Sequence, residues 1–119
     1  LPLIAKTYAC NFALNRMKRV YTESQRHLDD EDLHLEIVLL SAALKPLITW
    51  HCERTASICR ERCGGQGYLA ANCFGEAIAG AHAGMTAEGD NQVLWQKTTK
   101  ELLACLRSGK RELPSFDHL

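Results

Sequence analysis

Two turns concentrate the residue types that can do chemistry. The first is TAEGDNQ at residues 86–92, in which Glu88 stands between Ala87 and Gly89 just ahead of a helical pattern. A carboxylate there projects with little side-chain crowding, and burial would raise its pKa and make it a stronger base once ionised. The competing reading is an acid that serves the dipole of the following helix. The second turn is CGGQGY at residues 63–68. Its glycines let a backbone approach a ligand closely, yet glycine also ends a helix by supplying a left-handed C-cap. GGQG follows no strand, so it is not the dinucleotide fingerprint of a βαβ unit. On spacing alone, ligand contact and a plain helix stop both stand.

Other candidates for chemistry are weaker. Cysteines at 10, 52, 59, 63, 73 and 105 form no CxxC pair, and they read as reduced, buried thiols. A zinc site built on Cys52, Cys59 and Cys63 would need a fourth convergent ligand, and His51 is turned to a different helical face. His82, among Ala and Gly, could line a cleft, with a core or surface histidine as the default reading. Arg54, Arg60 and Arg62 either reach a phosphate or lie on a solvated face. The acidic run Asp29, Asp30, Glu31 and Asp32 lacks the glycine turn and the bidentate Glu of a calcium loop; capping of the next helix explains it. No metal site is assigned.

The elements that must position these turns are helical. Leu3, Thr7, Cys10, Leu14, Met17 and Tyr21 form a stripe of helical period. Residues 22–32 are a polar connection. A second helix is expected over 33–62, apolar nearly all round in its first half and therefore central in a bundle. Pro46 is expected to kink or split it. In its second half Cys52, Ala56, Cys59 and Cys63 form the stripe expected to face the core. A short irregular helix over 74–82, with Gly75 and Gly80 packed closely on a neighbour, precedes a last helix over 91–106. Asp90 or Asn91 is its natural N-cap, and Leu94, Thr98, Leu102, Cys105 and Leu106 are its buried stripe. The fold class is all-α, a helical bundle of three long helices and one short one. Residues 1–106 form the domain and 107–119 a polar tail, where Pro114 excludes further helix.

The 119 residues carry 14 basic and 14 acidic side chains. That balance gives no basic face for nucleic acid or an acidic membrane. The longest apolar stretch, 37–50, is interrupted by Lys45 and Pro46 and reads as too short and polar for a membrane span. No cleavable leader is seen. The chain opens LPLIAKTYA, as expected of a piece cut from a longer protein.

The two turns in this order, CRERCGGQGY about twenty residues before TAEGDNQVLWQK, resemble the C-terminal region of the acyl-CoA oxidases, flavoenzymes of the acyl-CoA dehydrogenase superfamily. The likeness runs from the first helix to about Leu106, and EGDN rather than EGT favours oxidase over dehydrogenase. The resemblance implies a C-terminal α-helical domain of a larger subunit that oxidises a fatty acyl-CoA to the trans-2-enoyl-CoA and passes electrons through FAD to dioxygen, giving hydrogen peroxide in peroxisomal β-oxidation. It implies that Glu88 is the base that takes the substrate α-proton while the β-hydrogen leaves as hydride. Such a base needs a desolvated setting. The resemblance further places Gly64 and Gly65 against the adenosine diphosphate part of FAD, characteristically that of the partner subunit in a homodimer, with Gln66 and Glu61 near that contact. It places Gly89, Asp90, Asn91 and Gln92 at the turn touching FAD, with amides at the helix start favouring phosphate. The implied partners are the acyl-CoA, the rest of the subunit and a second copy, with no nucleic acid. A dehydrogenase with a protein electron acceptor and a non-catalytic dimerisation module are the alternatives. Ala87 stands where many members carry an aromatic residue, which widens the acyl side, and Gln66 replaces a common histidine. The terminal DHL does not match an SKL-type peroxisomal address, so location follows from the resemblance alone.

Overall fold

The computed structural model describes residues 1–109, and no strand occurs among them. Helices α1 (Pro2–Ser24), α2 (Glu31–Arg62), α3 (Phe74–Thr86) and α4 (Asn91–Arg107) follow one another, with short 3-10 turns at Gly64–Tyr68 and Ala70–Asn72 between α2 and α3. The all-α expectation holds. Most of the expected tail, including Pro114, lies outside the described residues.

α2 is the hub on which α1, α3 and α4 each pack. It begins two residues before the expected Leu33, because the Asp30 carboxylate accepts from the backbone N–H of Asp32 and Leu33, both at 3.0 Å. That is the capping role assigned to the acidic run. Pro46 does not split the helix, which continues through it. The proline ring is the most completely buried large side chain among the described residues, and that apolar burial offsets its missing N–H.

The second half of α2 buries a different stripe from the one expected. Cys52 and Cys63 are exposed and Cys59 only half-buried, as Cys73 is exposed in the following loop. His51 is instead 5% exposed. α1 crosses on that side, and the Thr7 hydroxyl lies 2.9 Å from His51 Nε2. Since that hydroxyl also donates to the Leu3 carbonyl at 2.9 Å, it accepts from the imidazole. Of the six thiols, only Cys10 and Cys105 are buried. Among the described residues no three His, Cys, Asp or Glu side chains gather into a metal-binding group.

α3 returns antiparallel beside the second half of α2. His82 Nε2 comes within 3.9 Å of Glu53 Oε1, and a Cβ on Gly84 would meet Thr49 Cγ2 at 3.4 Å. The close approach is thus at Gly84, four residues beyond the expected Gly80, while Gly75 and Gly80 face open space. α4 crosses the middle of α2, where Trp95 stacks on Trp50 with ring centroids 6.3 Å apart. Leu102, expected inside, is 40% exposed. With Val93 and Leu103 it leaves α4 an apolar outer face, matched on α1 by Ile4, Tyr8 and Phe12. α2 also contains a window with a mean hydropathy of 1.4, long and apolar enough to cross a membrane. The apolar stretch 37–50 is by itself too short, but the helix extends past both of its ends and qualifies by length and composition alone.

Candidate active site

The Glu88 turn joins α3 to α4, and hydrogen bonds with Lys45 and Thr49 tie it to α2. α3 ends at Thr86, and Glu88 adopts φ +55, a left-handed conformation uncommon for a residue with a side chain. Gly89 follows at φ +107, where only glycine is comfortable. Asp90 then caps α4, its Oδ1 accepting from Gln92 N at 2.8 Å and Val93 N at 3.4 Å.

Beneath the turn lies Lys45. Its ammonium donates to the Met85 carbonyl at 3.0 Å, the Gly89 carbonyl at 2.6 Å and Asn91 Oδ1 at 2.9 Å. Met85 O is among the final carbonyls of α3, where a helix dipole favours a cation. Asn91 is 2% exposed. Its Nδ2 donates to Thr49 Oγ1 at 2.9 Å, and Thr49 Oγ1 donates to the Lys45 carbonyl at 2.9 Å. The network is closed, so each polar group that α2 places here finds a partner, as burial requires.

Glu88 borders a cavity of about 470 Å³ between α1, α2 and α4. Leu14 and Met17 of α1, Val38, Ala42 and Ile48 of α2 and Leu94 of α4 make most of its wall apolar, with Lys45, Lys97 and Glu88 at its polar margin. The carboxylate itself is exposed. The desolvated setting expected for the base is therefore not built by the described residues, because the turn lies on the surface of this domain. An apolar hollow beside a projecting carboxylate can hold an apolar group next to a proton acceptor.

The structure separates the remaining expected site residues. Gly64 takes φ +57 directly after the C-cap of α2 and so ends that helix as expected. Gly64, Gly65 and Gln66 are exposed, with nothing within 4 Å of a Cβ built on either glycine. Gly64 lies 19 residues beyond Lys45, about 28 Å along the helix. The two glycine turns therefore do not converge within one chain. Asp90 already occupies the amides of Gln92 and Val93 and adds negative charge at the start of α4. The amide of Asn91 is spent inside the fold, and Gln92 is exposed on the outer side of α4. Asp90 and Asn91 shape the turn, leaving Gly89 and Gln92 as its outward members.

Lys45 and Thr49 were not singled out from the sequence. The signal was present: a lone cation in an otherwise apolar helix half is costly unless several acceptors meet it.

The described residues of this all-α domain thus bring together a braced carboxylate and an apolar hollow. A family model described as acyl-CoA oxidase, C-alpha1 domain, matches residues 1–103, and the chain belongs to the acyl-CoA oxidase family. It is 40% identical over 103 residues to acyl-coenzyme A oxidase 2, peroxisomal, of Arabidopsis thaliana, covering 87% of this chain and 15% of that protein. It is 37% identical to acyl-coenzyme A oxidase 3, peroxisomal, of the same plant, over 100% of this chain and 17% of that protein. Peroxisomal acyl-coenzyme A oxidase 3 of Homo sapiens is 35% identical over 98% of this chain and 19% of its own length. The chain thus spans less than a fifth of these relatives. No solved structure matches it.

Proposed function

We propose that this chain supplies the C-terminal helical domain, over residues 1–106, of an FAD-dependent acyl-CoA oxidase subunit, and that Glu88 is its catalytic base. The observation that carries the reading is the placement of Glu88 at the edge of the apolar cavity on a braced turn. The acyl chain lies in the hollow, with its α-carbon presented to the carboxylate. Glu88 takes the α-proton as the β-hydrogen leaves as hydride, and trans-2-enoyl-CoA is released. Ala87 adds little bulk beside the carboxylate and leaves the acyl side wide. The rest of the subunit covers Glu88 and provides the desolvation this domain lacks.

The residues present fit FAD at the first glycine turn. Gly64 and Gly65 offer exposed backbone with open space where side chains would stand, and Arg60 and Arg62 precede them on the same helix end. These glycines with Gln66 hold the adenosine diphosphate end, while Gly89 and Gln92 border the reacting end. When bound, FAD supplies the hydride acceptor and the route to dioxygen. The separation of the two turns along α2 supports their serving different FAD molecules of a homodimer. The names of the relatives support a peroxisomal location.

The test is Glu88→Gln in the complete subunit. Because an amide cannot accept the proton, flavin reduction by an acyl-CoA is expected to slow about 10²- to 10⁴-fold with FAD and acyl-CoA still bound, measured by stopped-flow loss of oxidised-flavin absorbance. Unchanged reduction removes Glu88 as base. Peroxide released in air by the wild-type subunit separates an oxidase from a dehydrogenase.

A further inference from the structure

We infer that Lys45 is a positioning residue for Glu88, clamping the turn on both sides of it; the inference rests on the reading of Glu88 as the base. All three ammonium N–H groups are engaged, one by Met85 O before Glu88, one by Gly89 O directly after it and one by Asn91 Oδ1 at the start of α4. None is left for the carboxylate, so Lys45 acts through the backbone. The acceptors lie 40 to 46 residues from Lys45 in the chain, so the clamp fixes α3, the turn and α4 to one point of α2. That point matters because Glu88 sits at φ +55, a conformation that persists only where surroundings over-determine it. Charge-assisted hydrogen bonds are the strong kind. Pro46, buried directly beside Lys45, and Thr49, which bonds back to the Lys45 carbonyl at 2.9 Å, fix the helix that carries the clamp. Proton transfer from carbon is sensitive to small displacements of the base, so loosening this turn is read as lost rate rather than lost binding.

The experiment uses the complete FAD-loaded subunit with palmitoyl-CoA and its α-dideuterated form. Lys45→Met, which keeps the stem and removes the ammonium, is expected to slow flavin reduction about 10- to 100-fold. The substrate concentration for half-saturation stays near wild type, the deuterium isotope effect on reduction is undiminished, and amide exchange accelerates over residues 87–92. Propylammonium restores part of the rate in Lys45→Ala. A loaded Lys45→Met subunit that reduces flavin at the wild-type rate overturns the inference, as does slowing explained wholly by weaker acyl-CoA binding. If Lys45→Met yields no folded subunit, Thr49→Val decides: a smaller slowing with the same exchange signature supports the clamp, and an unchanged rate overturns it. Glu88→Gln run alongside separates the two readings. Wild-type reduction in Glu88→Gln removes the base and the clamp together, whereas an inactive Glu88→Gln beside a wild-type Lys45→Met removes only the clamp.

Discussion

The two glycine turns use the same residue type for opposite ends. At Gly89 the chain is tied down: carbonyl, following side chain and helix cap are all bonded, and a Cβ added there would meet Leu94 Cδ2 at 3.3 Å. At Gly64 and Gly65 the chain is bare, with free space on the side where a Cβ would stand. What holds the bare turn lies two residues further on, at buried Gly67, where a Cβ would collide with the Arg60 backbone. On the proposed function the difference has a use: a turn that carries the base needs fixed geometry, and a turn that offers backbone to a cofactor needs access. The contrast shows why glycine content alone did not distinguish them.

Substitution by alanine breaks this contrast in a graded way. Gly67→Ala is expected to cost the most, about 3 kcal/mol, because the backbone of α2 cannot move aside as a flexible side chain can; a lowered thermal unfolding midpoint of the complete subunit measures it. Gly89→Ala combines the strained φ of +107 with the Leu94 contact and is expected to cost about 1–3 kcal/mol. It should also slow flavin reduction, since the shifted backbone carries Glu88 with it. Reduction at the wild-type rate in Gly89→Ala would mean that the turn tolerates play and that its bracing serves stability alone.

Helix number, order and approximate ends were legible because three- and four-residue spacing of apolar side chains reports a helix directly. The buried face of α2 was less so. Two stripes compete in its second half, and the cysteines looked the more apolar. The choice went to the face bearing His51 because α1 crosses there and Thr7 meets the imidazole, a long-range fact that no local pattern contains. Glu88 stood out by its motif and its neighbours, but its left-handed backbone did not, since the acceptors that tie it to Lys45 lie 40 or more residues away in the chain. What the sequence did hold at the start of α4 is the cap: an aspartate at the N-cap both satisfies the amides and brings its own negative charge.

Gly65→Ala has the smallest expected effect on folding and sharpens the comparison most. Its φ is not in the left-handed region and its Cβ would meet nothing within 4 Å, so stability should change by less than about 0.5 kcal/mol. Nothing in the described chain requires glycine there. If the open space is where the adenosine diphosphate part of FAD lies, a methyl group intrudes on that contact, and the subunit should fold normally yet retain FAD less well. Equilibrium dialysis of FAD against the complete Gly65→Ala subunit, beside its unfolding midpoint, separates the two quantities. Weakened FAD retention at unchanged stability would assign the bare turn to the cofactor. Unchanged retention would leave Gly65 as an accessory of the Gly64 helix stop and remove it from the FAD site.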